Sequence, residues 1–185
     1  MCGIIAYLGK RPAQEVLITG LNRLEYRGYD SAGLTIISKG KIKTLKSVGK
    51  VSNLRVKVDE QWPGPEEKES TAGIAHTRWA THGPPTEENA HPHLNGDGRI
   101  SLVHNGIIEN YQELKKKLES RDHTFSSETD SEVLCKLISE FYENDIEEAV
   151  VQALKLVEGT YGIALVCADE LCRVSSKASG VRCLF

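Results

Sequence analysis

The chain has 185 residues, of which 39% are hydrophobic and 26% are charged, and its formal net charge is −3 at pH 7. This length and balance are typical of one globular domain with its own core, and the charge excludes the basic surface that nucleic-acid binding needs. No apolar run reaches the 18 or so residues that cross a bilayer, and the N-terminus lacks a signal-peptide pattern. We therefore expect a cytoplasmic protein without nucleic-acid or membrane partners.

The first half of the chain alternates short apolar runs with helical patterns. Apolar residues recur at helical spacing from Ala13 to Leu24, and Arg27-Gly28 follows as a stop signal. The predicted elements are a strand at 3–9, a helix at 13–26, a hairpin of 32–38 with 42–48, a short helix at 50–60, a solvated loop at 61–70 and a strand at 71–77.

The second half is richer in helix. The predicted elements are a polar loop at 81–99, a strand at 100–106 that ends in Asn-Gly, a helix at 110–120, a helix that begins at the capping box Thr129-x-x-Glu132, a helix at 146–159 closed by Gly159 and a buried strand at 160–168. Residues 171–185 do not have the pattern of a good strand. Strands come in hairpin-like groups and helices in pairs, which favours a layered α+β fold of packed sheets covered by helices.

Five cysteines occur, at positions 2, 135, 167, 172 and 183. Their odd number and irregular spacing argue against a disulfide framework, and the last three lack the paired spacing of a zinc site. Cys135 lies in the apolar pattern of a helix, as a small core residue does. The histidines at 76, 82, 91 and 93 also lack a metal-binding pattern, so we expect no metal.

Cys2 is the unusual cysteine, because removal of Met1 would place its thiol and a free α-amino group on one residue. A free α-amino group has an ordinary pKa of about 8, so it can accept the thiol proton, as in N-terminal nucleophile enzymes. Attack on an amide carbonyl creates an oxyanion that needs preorganised donors. Asn105 offers a side-chain amide and Gly106 an unshielded backbone N–H, although an isolated Asn-Gly is also a common hairpin turn.

A substrate amino acid needs a charge partner at each end. Arg78 could hold an α-carboxylate as a bidentate fork, and Asp130 could receive an α-ammonium group. The alternatives are a solvated loop arginine and a helix N-cap aspartate. Arg27 also fits an ordinary turn after a helix, and His82 or His93 fits a residue that orders a loop by hydrogen bonding.

Six segments carry a resemblance to a known family. They are MCGI at the start, LEYRGYDSAG at 24–33, GIAHTRWATHGPPT at 73–86, NAHPH at 89–93, VHNGIIEN at 103–110 and SETDSE at 127–132. Together they resemble the glutaminase domain of the glutamine–fructose-6-phosphate aminotransferase family, within the class II glutamine amidotransferases. The second and third segments differ in sequence from the corresponding motifs of purine-pathway members. The resemblance covers residues 2–168.

The resemblance implies a four-layer αββα sandwich of the N-terminal nucleophile hydrolase type, with L-glutamine as substrate and no metal or organic cofactor. It implies that Cys2 is the nucleophile and that Asn105 and Gly106 form the oxyanion hole. The substrate-binding residues that it implies are Arg78, Trp79, Thr81, His82 and Asp130, with Arg27 and His93 in supporting positions.

The complete family enzyme also has a sugar-phosphate isomerase domain, where ammonia aminates fructose 6-phosphate to glucosamine 6-phosphate on the way to UDP-N-acetylglucosamine. These 185 residues contain no counterpart of that domain, so we expect at most glutamine hydrolysis. We predict a glutaminase domain over 1–168 and an atypical tail over 169–185, where the family pattern stops after Glu170. A shifted reading frame or a truncation would explain that departure.

Two alternatives remain open at this point. One is an inactive shortened product that acts only by binding another protein. The other is a free-standing amide hydrolase that keeps the N-terminal cysteine chemistry but takes a different substrate. Formation of a homo-oligomer also stays open.

Overall fold

The computed structural model describes residues 2–27, 30–79, 83–170, 174–178 and 181–184, and for 27, 174–178 and 181–184 it describes the backbone alone. The helices are α1 Ala13–Leu24, α2 Val51–Gln61, α3 Pro65–Lys68, α4 Tyr111–Glu119, α5 Asp130–Glu140 and α6 Ile146–Leu154. The strands are β1 Gly3–Leu8, β2 Ser31–Ser38, β3 Lys41–Val48, β4 Ala72–Arg78, β5 His93–Leu94, β6 Ile100–Ile108, β7 Gly159–Cys167, β8 Val174–Ala178 and β9 Val181–Leu184.

The first sheet is antiparallel and has the order β1-β4-β2-β3. The predicted hairpin β2–β3 turns at Lys39 and Gly40, both with positive φ. Helices α1 and α2 cover one face of this sheet, where the fully buried side chains of Leu17, Leu21 and Leu54 pack on the strands. The apolar spacing of α1 in the sequence therefore corresponds to its buried face.

The second sheet is also antiparallel and has the order β5-β6-β7-β8-β9. Helices α4, α5 and α6 cover its outer face and form the larger core cluster. Helix α5 begins at the predicted cap, where Thr129 Oγ1 accepts the N–H of Glu132. The Glu132 carboxylate reaches back past the cap and accepts the N–H groups of Ser126 and Ser127.

The two sheets pack against each other through their remaining faces. Ile74 of β4 lies in one cluster with Val103 of β6 and Val166 of β7. A buried hydrogen bond of 2.8 Å joins Thr35 Oγ1 of the first sheet to Ser101 Oγ of the second. The layers therefore run helix, sheet, sheet, helix, and the expected α+β fold with an αββα sandwich is confirmed.

The expected solvated loop at 61–70 is exposed over most of its residues, but it also contains a short helix and buried residues. Trp62 is only 7% exposed and packs with the core under α1 and α2. Residues Pro65–Lys68 form α3, and the Glu67 carboxylate, which is largely buried, pairs with the ammonium group of Lys43. Proline and charge content predicted exposure. Contacts with Lys43 of β3 and with the apolar core instead bury Glu67 and Trp62.

The expected helix closure at Gly159 is wrong, because α6 ends at Leu154 and Gly159 begins β7. The polar loop expected at 81–99 is exposed over much of its described part, 83–99, but residues 89–93 are buried, and Asn89, His91 and His93 are each at most 5% exposed. This segment runs against the sheets, and its His93–Leu94 portion pairs with β6.

The expectation that residues 171–185 form no good strand is wrong as well. Strand β8 pairs antiparallel with β7, and β9 pairs with β8. The domain boundary at residue 168 stays a prediction. Among the described residues, no helix is both long and apolar enough to cross a membrane.

Candidate active site

Cys2 lies at the start of β1, beside the end of β4. The antiparallel register pairs Gly3 with Thr77, so Cys2 comes next to the residues that leave β4. The N–H of Trp79 donates to Cys2 Sγ over 3.2 Å, and the Trp79 carbonyl oxygen lies 3.7 Å from the same sulfur. The half-buried Cys2 thiol is therefore held by backbone groups and still faces solvent on one side.

Asn105 approaches Cys2 from the second sheet. Its Nδ2 donates to the Cys2 carbonyl oxygen over 3.3 Å, and its Oδ1 lies 2.8 Å from His76 Nε2. The expected strand end and the alternative hairpin turn at Asn105-Gly106 are both wrong, because β6 continues through these residues to Ile108 and pairs with β7. The carboxamide is thus mounted on a paired strand and not on a flexible turn.

Gly106 has a backbone conformation that requires glycine. Its φ is +141°, and a Cβ built there would lie 2.0 Å from the backbone carbonyl oxygen of Thr160 on β7. Only a residue without a side chain lets the two strands pair this closely at that angle. Gly106 is exposed, so its surroundings are open to a small molecule next to Asn105.

Arg78 and Asp130 supply charges of opposite sign around Cys2. Arg78, at the end of β4, is only 5% exposed, and one of its terminal nitrogens lies 3.3 Å from the Pro84 carbonyl oxygen. Burial lowers the pKa of the Arg78 guanidinium, against the opposing effect of negative charge at Cys2, Asp30 and Asp130. The predicted alternative of a solvated loop arginine is therefore wrong.

Asp130 occupies the first turn of α5, one residue after the cap, so the alternative of an N-cap aspartate is wrong. One carboxylate oxygen accepts the N–H of Ile108, and the other lies 3.3 Å from Ser131 Oγ. The same hydroxyl group lies 2.9 Å from His104 Nδ1. Burial lowers the pKa of His104, while the nearby Asp130 carboxylate raises it. These contacts fix the Asp130 carboxylate relative to β6, the strand that carries Asn105.

Three further buried histidines form a row between the layers. The ring of His91 is perpendicular to those of His76 and His93, with centroids 4.2 and 4.7 Å away. Burial lowers the pKa of His76 to about 4 and the pKa values of His91 and His93 well below the ordinary range, so all three are neutral at pH 7. Within the described part of the chain, no three His, Cys, Asp or Glu side chains are placed to hold a metal ion.

Of the remaining predicted site residues, the structure describes the side chains of Trp79 and His93 only. Trp79 is adjacent to Cys2 and 51% exposed. His93 supports the start of α5, where its Nε2 lies 3.0 Å from Thr129 Oγ1. Thr81 and His82 lie outside the described residues, as does the side chain of Arg27.

Sequence reasoning gave no role in the site to His76 or His104. The available signal was strand parity, because His76 shares a face of β4 with Ile74 and Arg78. His104, a polar residue in a buried run of β6, is a similar exception to the apolar pattern. Each contacts a residue that the sequence did predict for the site, Asn105 for His76 and Asp130 for His104.

Comparison with known proteins adds a family to this geometry. A family model described as a glutamine amidotransferase domain matches residues 76–185. The chain is 52% identical over 170 residues to a glutamine–fructose-6-phosphate aminotransferase [isomerizing] of Clostridium tetani, with 92% of this chain and 27% of that protein covered. It is 53% identical over 174 residues to the protein of the same name from Chlorobaculum tepidum, with 92% and 28% covered. The chain thus spans about 27% of the length of the curated relatives that it matches.

Solved structures agree on the architecture. The glutamine phosphoribosylpyrophosphate amidotransferase of B. subtilis superimposes with a TM-score of 0.75 at 23% identity, with 96% of this chain and 37% of that chain covered. A glutamine aminotransferase class-II domain protein of Silicibacter pomeroyi gives 0.56 at 16% identity, with 80% and 68% covered. At these identities the likeness supports the fold alone. On the strength of the family model, which matches more than half of its residues, the chain belongs to the glutamine amidotransferase domain family.

Proposed function

We propose that this chain is the glutaminase part of a glutamine–fructose-6-phosphate aminotransferase and that it hydrolyses the side-chain amide of L-glutamine to glutamate and ammonia. The observation that carries the proposal is the contact across the two sheets between Cys2 and Asn105, the residue before Gly106, with Arg78 close enough to Cys2 and Asp130 to interact with their charges. A nucleophile, an oxyanion site and a pair of opposite charges are the groups that an amino acid amide requires.

The α-amino group of Cys2, free once Met1 has been removed, is the base in the first step. It takes the thiol proton, and the thiolate attacks the side-chain carbonyl carbon of glutamine. The resulting oxyanion accepts hydrogen bonds from Asn105 Nδ2 and the Gly106 N–H. The amine returns its proton to the departing nitrogen, so ammonia leaves and a glutamyl thioester remains on Cys2.

Water completes the cycle. The same α-amino group removes a proton from the water that attacks the thioester carbonyl, and the second oxyanion forms at the same donors. The carbon–sulfur bond then breaks, the thiolate recovers the proton from the amine, and glutamate is released. One residue thus serves as nucleophile and base, and no metal or organic cofactor enters any step.

Selection of glutamine rests on its two charged ends. The guanidinium of Arg78 is the partner for the α-carboxylate, and its burial strengthens that pairing. The Asp130 carboxylate is the partner for the α-ammonium group. Following the family resemblance, we assign Thr81, His82 and Trp79 to the closure of the site around the bound amino acid, with Arg27 supporting the Cys2 end.

The names of the relatives extend the proposal to the whole enzyme. In a longer protein, the ammonia would pass to a second domain and aminate fructose 6-phosphate to glucosamine 6-phosphate. The glutaminase reaction is what these 185 residues can perform alone, and we place it in the cytoplasm.

Glutamate release from glutamine by the purified chain tests this function. Wild-type protein that has lost Met1 should release glutamate and ammonia in equal amounts, and Cys2→Ala should release none. Cys135→Ala is the matched control, since Cys135 is also a free cysteine but is fully buried in a helix and burial raises its pKa well above the ordinary value. Equal activity in wild type and Cys2→Ala would reject the proposal.

Two additional measurements separate the alternatives. Intact mass shows which fraction of the protein has lost Met1, and activity should follow that fraction because the α-amine is the base. Asparagine and a linear amide without charged ends should react far more slowly than glutamine. Comparable rates for all three amides would point instead to a general amide hydrolase.

A further inference from the structure

The row of buried histidines ends on the carboxamide of Asn105, a relationship that the glutaminase proposal does not use. His76 is fully buried on β4, between the two sheets, and its Nε2 lies 2.8 Å from Asn105 Oδ1. We propose that His76 is a positioning residue that holds Asn105 with its amide nitrogen toward Cys2, and that His91 holds His76 in turn. This inference rests on the proposed glutaminase function.

The direction of each hydrogen bond follows from the partners. The Cys2 carbonyl oxygen can only accept, so the Asn105 atom 3.3 Å from it is the donor Nδ2. The atom that faces His76 is therefore Oδ1, which can only accept. It follows that His76 carries its proton on Nε2, because a bare nitrogen opposite Oδ1 would place two acceptors in contact.

His76 is neutral, so a proton on Nε2 leaves its Nδ1 as an acceptor. Burial lowers the pKa of His76 to about 4, which excludes the doubly protonated ring at neutral pH. His91 Nδ1 lies 3.2 Å from both nitrogens of the His76 ring, and the two rings are perpendicular. The edge of His91 therefore packs on the face of the His76 ring, and this contact limits its rotation.

The backbone prepares the position of His91. A Cβ built on Gly33 of β2 would lie 2.2 Å from the His91 carbonyl oxygen and 3.1 Å from Pro92 Cδ. Gly33 pairs with His76 across β2 and β4. Because Gly33 has no side chain, residues 91 and 92 can lie against β2 at this position, beside the His76 ring. Strand β2, strand β4 and residues 91–92 thus meet at His76.

His76 would affect the reaction by restricting the rotation of the Asn105 carboxamide. The terminal torsion of asparagine has a broad, roughly two-fold profile, so a free side chain presents oxygen almost as readily as nitrogen to the oxyanion. Oxygen in that position would repel the negative charge. A fixed donor on the far side of the group removes the wrong orientation before substrate binds, which is preorganisation of the oxyanion hole.

Steady-state glutaminase kinetics of three variants in the full chain test the inference. His76→Leu, which lacks the donor, should lower kcat by about 10- to 100-fold, with the KM for glutamine changed less than about 3-fold, because the oxyanion forms only in the reaction. His76→Gln, which offers an amide donor in place of Nε2, should recover most of the lost rate. Ile74→Val lies on the same buried face of β4 and should lower stability without lowering kcat.

A double-mutant cycle separates positioning from general packing. Asn105→Ala already lacks the group that His76 orients, so adding His76→Leu to it should change kcat by less than about 2-fold. A purely structural role would lower kcat by the same factor in both backgrounds. Multiplicative losses in the cycle, or an unchanged kcat in His76→Leu, would overturn the inference.

The tautomer supplies a measurement that is independent of activity. The ¹⁵N shifts of labelled histidine should show His76 protonated on Nε2 and bare on Nδ1 at neutral pH. A proton on Nδ1 alone would overturn the inference. If the wild-type chain releases no glutamate, the proposed function fails, and the nitrogen shifts still decide how His76 is bonded to Asn105.

Discussion

The carboxylate of Asp130 accepts the backbone N–H of Ile108 over 2.9 Å. This hydrogen bond connects the first turn of α5 to the last residue of β6 and so joins the helix layer to the strand that carries Asn105 and Gly106. The negative charge assigned to the substrate ammonium group therefore has a fixed position relative to the oxyanion site. In the proposed complex, strand β6 and helix α5 would together position the side-chain amide and the α-ammonium group of glutamine.

Asp130→Asn should weaken glutamine binding while keeping the structural hydrogen bond to Ile108. Loss of a charged hydrogen-bond partner costs about 1.5–3 kcal/mol, so the KM for glutamine should rise about 10- to 100-fold with a smaller change in kcat. Asp97→Asn is the control, since Asp97 pairs with Arg99 in an exposed loop. An unchanged KM in Asp130→Asn would contradict the assignment.

Gly106→Ala should fold poorly and lose activity. The φ of +141° is unfavourable for alanine, and the added methyl would meet the Thr160 carbonyl oxygen, so we expect at least about 1–3 kcal/mol of lost stability in urea unfolding. Gly40→Ala is matched, because its φ of +72° is also strained but nothing lies within 4 Å of the new methyl. The prediction fails if both variants lose the same stability and keep full activity.

The buried histidines predict a specific loss of stability in mild acid. His76 has a folded-state pKa of about 4 against an ordinary 6.5, so the unfolded chain takes up the proton first. Its contribution, about 3 kcal/mol, is complete above pH 6.5, declines as the pH falls toward 4 and stays lost below that. His91 and His93 act in the same direction.

Urea unfolding of wild type and His76→Gln between pH 7 and pH 4 measures the His76 share. The wild-type free energy of unfolding should fall more steeply over this range, because the variant has one fewer buried imidazole to protonate. Two curves that stay parallel from pH 7 to pH 4 would contradict a neutral, buried His76.

Gly33→Ala should disturb the site from a distance. The new methyl would meet the His91 carbonyl oxygen, which is backbone and can yield only if the 91–92 segment moves. A displacement of about 1 Å at a supporting group can lower the rate by up to about 100-fold, so kcat should fall while glutamine still binds. A crystal structure in which residues 91 and 92 are unmoved, with kcat intact, would contradict the prediction.

The helices and most strands follow from local patterns. The spacing of apolar residues predicted α1, and the cap at Thr129 predicted the start of α5, because both signals act within a few residues. Asn105-Gly106 shows the opposite case. These two residues favour a turn by themselves, but pairing along the whole of β7 keeps them in a strand.

The motifs indicated candidate site residues but not their arrangement. They pointed to Cys2, Asn105, Arg78 and Asp130, which come from both sheets and from helix α5. Contacts between the sheets join residues far apart in the sequence, 103 positions in the case of Cys2 and Asn105, and leave no local periodicity. The contact between His76 and Asn105 could not be predicted for the same reason, because it depends on tertiary packing.

Attack of the Cys2 thiol on glutamine is tested most directly by the intact mass of the mature chain after rapid mixing with glutamine and acid quench. We expect a transient mass increase of one glutamyl group, located by peptide mapping on Cys2 and absent in Cys2→Ala. Glutamate release without any such adduct, or an adduct on another residue, would contradict the central claim that the Cys2 thiol attacks the glutamine amide.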